Sequence, residues 1–407
     1  MSRNQQPTPE ISPVSVAPRE RAKGGRILFV TDFYLEGMLA GIVDFAREAG
    51  WDLDANMRLH GRFPPADNAA GILATVRGER VRDWLAKQNN CPIVRMLVSP
   101  FDLPYPAVEA DYRAAGEVGA RHLLELGHVH FAFYALQNSE DTAEAWSGFS
   151  SVLKAGGRRA TLLDWSAQNL NRGYLDVARD ERCRWLAGEL QRLPKPLAIM
   201  GDDDRRVLDV LTACEMVKLR VPEDVVVLGC DNHWVEQRMA EMPISSVDMN
   251  FKGMGWHASR MLQQLIDGKT LAAPVLKISP LGVLARRSTA AMVTDSPEIT
   301  AAVSYLREHF HERLRVSELA KRSGMSERVF EKEFKRCLGR SAREEILRAR
   351  LACAARLLRD TDLKLEAIAN ESGFGSAAQL CRAFIAAYGS SPNVWRQQVK
   401  QAVVITA

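Results

Sequence analysis

Two groups of polar residues in this chain have side chains suited to recognising another molecule. In the C-terminal quarter, Arg and Lys could donate to guanine edges or phosphates, and Gln could pair with adenine. The residues predicted to contact DNA are Arg328, Glu331, Lys332 and Lys335 on one helix, and Ser376, Gln379 and Arg382 on another. The alternative is that these residues are the solvated faces of ordinary surface helices.

The second group lies at the ends of predicted strands in the preceding part of the chain. A carboxylate at such an end can accept hydrogen bonds from sugar hydroxyls, and an aromatic ring can stack on the apolar face of a sugar. The residues predicted to bind a ligand are Asp231, Asp202, Asn232, Phe33, Tyr34 and Trp146.

Each of these ligand-binding predictions has a structural alternative. Asp231 could instead cap a helix that begins at Trp234. The run 202–204 contains three aspartates and could suggest a divalent metal site. Adjacent residues cannot all face one ion, so the run favours helix capping plus one ligand contact. The three aromatic residues could equally be packing residues of the core or of the cleft wall.

One local pattern occurs twice in the last hundred residues. Three landmarks recur 50 residues apart: Phe334 and Phe384, Gly339 and Gly389, Ser341 and Ser391. Each copy predicts a helix, a turn that contains glycine, and a second helix opened by a serine. The repeat indicates two helix-turn-helix units, whose second helices could enter successive major grooves of DNA.

Apolar residues at helical spacing predict the buried face of each second helix. These residues are Val329, Phe330, Phe334 and Leu338 in the first unit, and Leu380, Ala383, Phe384 and Ala387 in the second. The predicted DNA-contacting side chains lie on the opposite face.

From residue 26 to about residue 290, apolar strands alternate with helices. The predicted strands are Ile27–Val30, Gly71–Val76, Pro92–Val98, His130–Leu136, Leu197–Met200 and Val225–Cys230. The predicted helices include 112–126, 142–155, 181–193, 204–217 and 252–267. This order predicts parallel sheets with helices on both faces, in two lobes. Ligands then bind at the carboxyl ends of the strands, at 32–34, 137–141, 202–204 and 231–233.

Charge is distributed unevenly along the chain. Residues 296–400 contain 19 Lys and Arg against 13 Asp and Glu, whereas the remainder contains 35 against 37. A basic module at one end of a near-neutral chain predicts that only this end binds nucleic acid.

Composition and the absence of known motifs exclude several other classes of protein. The seven cysteines are scattered without a C-x-x-C pair, which indicates reduced thiols and a cytoplasmic protein. No apolar run is long enough to span a membrane. No nucleotide-binding, hydrolase or zinc-protease signature occurs, so we predict no catalytic residue, metal or cofactor. The alternative is a sugar-converting enzyme or ligand-binding protein with a fused DNA-binding module.

The segment of about 296–400 resembles the DNA-binding domain of the AraC/XylS family of transcription regulators. The residues that carry this resemblance are Ile368, Ala369, Gly373, Phe374, Phe384, the run 388–392, Trp395 and Arg396, with Ile346, Arg350, Leu351, Ala354, Leu357 and Leu358 in the connecting helix. The resemblance implies base contacts by Arg328, Glu331 and Lys332 in the first unit, and by 377–379 and Arg382 in the second. Two alanines in that second set depart from the family's pattern.

The segment of about 26–290 resembles the effector domain of LacI-type repressors and the periplasmic sugar-binding proteins. The matching runs are 120–128, 221–232, 245–247, 254–262 and 286–289. The resemblance implies that Asp231 contacts a small sugar, with a pentose such as D-xylose favoured. Ala145 stands where many relatives have an arginine. A LacI-type repressor would have its own helix-turn-helix before the first strand, whereas here the DNA-binding unit follows the sensor.

These patterns predict four segments and one function. The segments are a disordered tail at 1–25, a two-lobed α/β sensor at 26–290, a linker at 291–297 and an all-α domain with two helix-turn-helix units at 298–400. We predict a sugar-responsive transcription activator that binds a double-stranded DNA operator as a homodimer. RNA polymerase is a further candidate partner, and no membrane partner is expected.

Overall fold

The structure is a computed structural model that describes residues 24–136, 139–168, 178–291, 296–312, 314–338, 340–361 and 363–401. Parts of four sequence predictions lie outside these residues: 1–23 of the tail, 137–138 of a cleft loop, Gly339 of the repeat and 292–295 of the linker. Gly24 and Gly25 were assigned to the tail, and that assignment is wrong. The amide of Gly24 donates to the carbonyl of Gly50 at 3.1 Å, and the carbonyl of Gly25 accepts from Asp52 at 2.9 Å.

Two twisted sheets form the two lobes of the sensor. The first contains β1 (Arg26–Thr31), β2 (Asp52–Asp54), β3 (Ala69–Thr75), β4 (Ile93–Met96), β5 (Ala107–Ala110) and β11 (Val275–Ile278), in the order β11-β5-β4-β3-β1-β2. The second contains β6 (His130–Ala135), β7 (Ala160–Asp164), β8 (Leu197–Gly201), β9 (Val225–Cys230), β10 (Ser245–Asp248) and β12 (Gly282–Leu284), in the order β12-β10-β9-β8-β6-β7. All pairings are parallel except that of β10 with β12.

Helices cover both faces of each sheet, as the alternating pattern predicts. They are α1 (Glu36–Ala49), α2 (Met57–His60), α3 (Glu79–Leu85), α4 (Tyr112–Glu125), α5 (Glu140–Ala155), α6 (Trp165–Gln168), α7 (Arg179–Arg192), α8 (Asp204–Met216), α9 (Trp234–Met239) and α10 (Phe251–Ile266). The chain passes from one sheet to the other three times: between β5 and β6, between β10 and β11, and between β11 and β12. These crossings place the carboxyl ends of the two sets of parallel strands on opposite sides of one cleft.

The sequence predicted the long buried strands but not six short ones. Strands β2, β5, β7, β10, β11 and β12 were not assigned from sequence. Each has three to five residues, and several lie at a sheet edge, where the apolar pattern is weak. The five helices predicted by range match α4, α5, α7, α8 and α10 to within two residues at each end.

Helices α4 and α5 cross unusually closely, and glycine makes this possible. A Cβ atom at Gly148 would lie 2.0 Å from the carbonyl oxygen of Arg113, and one at Gly116 would lie 1.9 Å from that of Ala145. Real Cβ atoms cannot approach a backbone oxygen so closely, so any larger residue would force the helices apart.

We therefore expect Gly148→Ala to destabilise the protein by at least about 1–3 kcal/mol, because α5 must move away from α4. Gly188 is the matched control, since it lies inside α7 with open space around its Cα. Gly188→Ala should instead stabilise by about 0.5–1 kcal/mol, because alanine loses less conformational entropy in a helix. Urea unfolding of both variants checks this, and equal effects would contradict the close crossing.

The C-terminal domain consists of seven helices in the described residues. They are α11 (Pro297–His309), α12 (Val316–Arg322), α13 (Glu327–Leu338), α14 (Ala342–Asp360), α15 (Leu365–Glu371), α16 (Ala377–Tyr388) and α17 (Pro392–Gln401). The pairs α12–α13 and α15–α16 form the two predicted helix-turn-helix units, and α14 connects them. In the second turn Gly373 has φ +79°, and a Cβ there would lie 2.7 Å from the carbonyl of Phe310, so this position requires glycine.

Two further observations concern sequence predictions about the whole chain. All seven cysteines are free thiols. Among the described residues, no helix combines the length and the apolar character that crossing a bilayer requires.

Candidate functional sites: the interlobe cleft and the C-terminal helices

A cleft lies where the carboxyl ends of the strands of the two lobes meet, as the strand-end rule predicts. The residues that line it are Phe33, Leu35, Arg77, Leu97, Tyr112, Leu136, Ser139, Asp141, Thr142, Ala145, Asp202, Asp203, Arg205, Arg206 and Asp231. Its volume is about 130 Å³. One water needs on the order of 10–15 Å³ measured in this way, so the cleft has space for a small organic molecule.

The three consecutive aspartates at the end of β8 have three different roles. Asp202 lines the cleft and accepts a hydrogen bond from the Thr142 hydroxyl at 3.0 Å. Asp203 caps α8 by accepting from the backbone N–H of Arg206. Asp204 is buried and accepts from the Ser246 hydroxyl and from the backbone N–H of His233, both at 2.7 Å. The run thus contains the helix cap that the sequence favoured, and contact of one of these aspartates with a ligand stays a prediction.

Asp231 faces the cleft from the turn after β9. Its Oδ1 is buried and has no hydrogen-bond partner among the described residues, and Oδ1 of Asp202 is in the same situation. The alternative role of Asp231 as a helix cap is wrong, because α9 begins after His233 and takes no side-chain cap. Two residues that line one small cavity therefore each have a buried carboxyl oxygen without a hydrogen bond, and a ligand with hydroxyl groups could supply the missing hydrogen bonds.

Burial also changes the acidity of these carboxyls. Removal from water raises the pKa of Asp202 to about 7, and the charge of Asp203 acts in the same direction. Burial raises the pKa of Asp231 well above its usual range, with the charges of Asp203 and Asp204 adding to the effect. Asp202 therefore keeps its proton to a higher pH than an exposed aspartate would.

We expect the unliganded protein to lose stability as the pH rises toward 7. Asp202 keeps its proton up to about pH 7 when folded but releases it near 3.8 when unfolded, so its stabilising contribution is complete below 3.8 and is lost as the pH rises through 7. In Asp202→Asn, the decrease in the free energy of unfolding between pH 5 and 7 should be shallower by up to about 1.4 kcal/mol per pH unit. The exposed control Asp267→Asn should keep the original slope, and equal slopes in both variants would contradict the assignment.

Asn232 does not line the cleft, so its predicted contact with a ligand needs correction. Its amide oxygen accepts from Nη2 of Arg286 at 2.8 Å, its amide nitrogen lies 3.4 Å from Asp248, and its backbone N–H donates to Ser246. The side chain turns away because residue 232 has the left-handed φ of +53° directly after Asp231, whose φ is +92°. Asn232 supports the turn that carries Asp231.

The three predicted aromatic residues occupy different places. Phe33 lines the cleft, and both Phe33 and Tyr34 line a neighbouring pocket of about 160 Å³ that Asp231 also borders. Trp146 is not on the cleft wall, because α5 turns its ring toward the core. There it packs against Phe133 and Phe149, with ring centroids 5.8 and 6.4 Å apart. For Trp146, packing is the alternative that the structure supports.

Several cleft residues were not predicted from sequence. They are Arg77, Tyr112, Thr142, Arg205 and Arg206. The three arginines could have been predicted because each follows the end of a strand. Arg77 lies two residues after β3, and Arg205 and Arg206 follow the aspartate run after β8. Tyr112 follows β5, a strand that was not predicted from sequence, and Thr142 lies one residue beyond the predicted cleft loop at 137–141, so neither was singled out.

Direct contacts hold the two lobes together across the cleft. Arg77 forms an ion pair with Asp141 at 3.1 Å, and its loop is fixed by the carboxylate of Asp32, which accepts from the backbone N–H groups of residues 77 and 78. Lys277 of β11 pairs with Glu144 of α5 at 2.6 Å. Trp234 of α9 donates to Glu36 of α1. These contacts must break or rearrange whenever the lobes separate.

The predicted DNA-contacting residues lie on the second helix of each helix-turn-helix unit. Arg328, Lys332 and Lys335 are exposed on α13, where Glu331 is half-buried. Ser376, Gln379 and Arg382 are exposed at and after the beginning of α16. The exposed side chains of α13 are therefore predominantly basic, as contact with phosphates and guanine requires.

The buried face of each of these helices is narrower than predicted. Phe330 and Phe334 are fully buried in α13, but Val329 is 54% exposed. In α16 Leu380 and Phe384 are buried, whereas Ala387 is exposed. An exposed valine beside basic residues can contact the methyl group of thymine.

The side chain of Gln379 caps the beginning of α16, and this role competes with hydrogen bonding to adenine. Its side-chain oxygen accepts from the backbone N–H of Gly375 at 3.1 Å, while its own N–H donates to the Ser376 hydroxyl at 3.3 Å. These two bonds cap the beginning of α16. To pair with adenine through both amide atoms, the side chain must leave Gly375.

Comparison with known proteins relates both parts of the chain to regulators. Residues 120–289 match the family described as periplasmic binding protein-like domain, and residues 319–398 match a helix-turn-helix domain. The xylose operon regulatory protein of Escherichia coli strain K12 is 28% identical over 86% of this chain and 90% of its own length. That of Haemophilus influenzae is 27% identical over 72% of this chain and 75% of its own length. The chain is a DNA-binding transcription regulator.

Solved structures share the architecture of this regulator. A structure described as the xylose-binding transcription activator xylR has 24% identity, covers 93% of this chain and 99% of that chain, and gives a TM-score of 0.56. A complex of the transcriptional regulator CelR with cellobiose has 21% identity, covers 65% of this chain and 84% of that chain, and gives a TM-score of 0.50. The predicted fold, a two-lobed α/β sensor followed by an all-α double helix-turn-helix domain, is confirmed.

The two helix-turn-helix units of the regulator have separate apolar cores. The buried residues of the first unit are continuous with those of the sensor, whereas Leu351, Ile368, Leu380 and Phe384 belong to a separate cluster in the second unit. Helix α14 joins the units and begins with a capping box in which Ser341 and Glu344 exchange hydrogen bonds. The first unit is therefore the one that is packed against the sensor.

Proposed function

We propose that the regulator responds to a small uncharged sugar bound in the interlobe cleft, with a pentose such as D-xylose favoured. The main support is the pair of buried carboxylate oxygens, on Asp202 and Asp231, that lack a donor. Sugar hydroxyls are donors, and a bond to a carboxylate is stronger than one to a neutral acceptor. Phe33 on the cleft wall offers an apolar ring beside these acceptors.

The charge balance of the cleft supports an uncharged ligand. Each of its three arginines is already paired with an aspartate: Arg77 with Asp141 at 3.1 Å, Arg205 with Asp203 at 2.7 Å, and Arg206 with the same Asp203 at 3.3 Å. An anionic ligand would have to break one of these pairs to gain a positive partner. A neutral polyol could donate to the carboxyl oxygens of Asp231 and Asp202 without breaking these pairs, although Oδ1 of Asp202 already lies 3.6 Å from Nε of Arg206.

The relatives support the same class of ligand. Two are named for the xylose operon, and the structural neighbours include an activator described as xylose-binding and a regulator in complex with cellobiose. The cleft volume of about 130 Å³ favours a monosaccharide over a disaccharide. On this basis we infer a cytoplasmic, sugar-responsive activator that acts on transcription by RNA polymerase.

A calorimetric and thermal-shift screen tests the proposed ligand. The panel contains D-xylose, L-arabinose, D-ribose, D-glucose and D-galactose, with D-xylonate and D-glucuronate as charged controls. A true effector at a hundred times its Kd should stabilise the sensor by about 2.7 kcal/mol. We expect a neutral pentose to bind and the sugar acids not to bind. Binding of a sugar acid alone, or of no sugar, would contradict the proposal.

We also propose that the regulator works as a homodimer. Two copies would present two pairs of α13 and α16 helices to a tandem or inverted operator, and a symmetric pair suits repeated half-sites. Sedimentation at micromolar concentration, with and without operator DNA, tests this. A monomer under both conditions would contradict it while leaving the sugar proposal intact.

A further inference from the structure

One short segment of the sensor contacts both the cleft turn and the DNA-binding domain. It comprises residues 286–290, which follow β12 and include a 3-10 turn at Arg287–Thr289. We call residues 286–290 the joint segment. Its side chains and carbonyls form hydrogen bonds with the turn that carries Asp231 and with the DNA-binding domain.

At its first residue the joint segment holds the turn that presents Asp231. Nη2 of Arg286 donates to the side-chain oxygen of Asn232 at 2.8 Å, and Nη1 donates to the carbonyl of Ile244 at 2.7 Å. Asp231 and Asn232 both have positive φ, a region that residues other than glycine seldom adopt, although Asp and Asn adopt it more readily than most. The turn therefore depends on its supports, and the bond from Arg286 is one of them.

In the middle of the joint segment, buried hydroxyls attach it to strands of the sensor. Ser288 donates to the carbonyl of Val227 at 2.6 Å and accepts from the N–H of Ser245 at 2.8 Å. The hydroxyls of Ser245 and Thr289 are hydrogen-bonded to each other at 2.7 Å. Both Ser288 and Thr289 are at most 1% exposed. The segment is thus fixed to the strands β9 and β10 that end at the cleft.

At its last residues the joint segment meets the DNA-binding domain. Arg307 of α11 donates through Nη1 to the carbonyls of Thr289 and Ala290, both at 3.4 Å, and its Nη2 lies 3.6 Å from Glu345. The side chain of Arg307 is largely buried, with 15% of its surface exposed, and burial lowers its pKa to about 10. This arginine therefore links the end of the sensor to α14.

Glu345 forms ion pairs with three arginines near the beginning of α14. In addition to Arg307, its carboxylate pairs with Arg340 at 2.6 Å and with Arg348 at 3.1 Å, and its side chain is only 2% exposed. Arg348 also reaches the sensor, where it pairs with Glu125 of α4 at 3.3 Å. Helix α14 connects the two helix-turn-helix units. A movement of this ion cluster at its beginning would therefore change the orientation of both second helices, α13 and α16.

We propose that Arg286 and Glu345 are positioning residues that couple the cleft to the DNA-binding helices through the joint segment and Arg307. This inference rests on the proposed sugar response. A ligand that bonds Asp231 acts on a turn that Arg286 holds, and a shift of that turn displaces the carbonyls to which Arg307 is attached. A ligand can change DNA affinity only by as much as its affinity differs between two such arrangements.

The test measures one quantity, the ratio of the Kd for DNA without and with saturating D-xylose. The DNA is a duplex selected from a random pool by the unaltered protein, and the Kd for D-xylose is measured separately in the absence of DNA. We expect a ratio that differs from one by about 5- to 150-fold in the unaltered protein. Linkage requires the same factor in the Kd for sugar with and without DNA, which checks the measurement.

Two pairs of matched variants test the two ends of the proposed connection, Arg286 beside the cleft turn and Glu345 in the DNA-binding domain. In Arg286→Met and in Glu345→Gln, the ratio should fall to within about twofold of one. Glu345→Gln should leave the Kd for D-xylose without DNA unchanged, since Glu345 is not a cleft residue. The controls are Arg287→Met, an exposed neighbour in the same segment, and Glu308→Gln, exposed on α11. Both controls should keep the original ratio.

The possible failures are distinguishable. If the unaltered protein binds no sugar of the panel, the proposed function fails and this inference fails with it. If the unaltered protein shows the coupling and the folded Arg286→Met and Glu345→Gln variants retain it, this inference alone is overturned. The same holds if the two controls lose the coupling as fully as the two test variants. Should Glu345→Gln fail to fold, Arg286→Met and its neighbour control decide the question.

Discussion

Asp231→Ala is expected to abolish the response of the regulator to sugar while leaving DNA binding without sugar unchanged. The carboxylate is buried at the cleft with one oxygen that has no donor, so a bound sugar would complete its hydrogen bonds. Loss of one hydrogen bond costs about 0.5–3 kcal/mol, with the upper end applying when the bound sugar holds the carboxyl ionised, which is about 2- to 150-fold in Kd. Titration calorimetry with the best sugar of the panel measures this loss.

The design of this experiment must allow for the backbone at residue 231. Its φ of +92° is unfavourable for alanine but better tolerated by asparagine, so Asp231→Asn is the companion variant. It retains the shape of the side chain and removes only the charge and one acceptor. Asp267→Ala, at an exposed position outside the cleft, is the control. If a folded Asp231 variant lost DNA binding, the separation of sensor and DNA-binding domain would be wrong.

Arg328→Ala should have the opposite effect, weakening operator binding without changing the affinity for sugar. The side chain is exposed near the beginning of α13, the second helix of the first helix-turn-helix unit. If it bonds a guanine edge, its removal costs about 1–3 kcal/mol and relaxes the preference at one base pair. Arg382→Ala tests the second unit in the same way. Competition binding with single-base operator variants measures both effects.

A charge-matched control separates base reading from general attraction to DNA. Arg47 is exposed on α1 of the first lobe, so Arg47→Ala removes one positive charge without touching α13. It should leave operator binding nearly unchanged. If Arg328→Ala weakened binding equally for every sequence and lowered the salt dependence, the side chain would contact phosphate instead of a base. Unchanged binding would remove Arg328 from the DNA interface altogether.

These opposite expectations follow from how the molecule is organised. The cleft residues lie at the carboxyl ends of the sensor strands, and the exposed basic residues lie on helices of a different domain. The hydrogen bonds and ion pairs described between the domains involve Arg307 of α11 and Arg348 of α14. A variant at either site should therefore alter one affinity directly and the other only through coupling.

Local periodicity predicted much of this organisation. Buried parallel strands are continuous apolar runs and helices repeat apolar residues at fixed spacing, so both can be recognised without knowing their neighbours. The repeated turn and cap residues similarly identified both helix-turn-helix units. The strand-end rule placed Asp202 and Asp231 at one cleft, because all parallel strands of a sheet end at the same edge.

Side-chain direction could not be obtained in this way. Asn232 was expected at the cleft with Asp231, but two successive residues of left-handed conformation turn it toward Arg286, which is 54 positions later. Trp146 was expected on the cleft wall, but the rotation of α5 against α4 places it on Phe133. In both cases a contact between distant segments decides the orientation, and no short window of sequence contains both partners.

The sequence by itself determined the two kinds of domain, their order and the chemistry available to each, because these depend on residue type and local spacing. Only the tertiary structure decided which carboxylate oxygens lack donors, how Arg77 pairs with Asp141 across the cleft, and how the joint segment meets Arg307. Those features arise where separate lobes and domains pack together. Their geometry is fixed by the whole set of packed elements, so it exists only once the chain has folded.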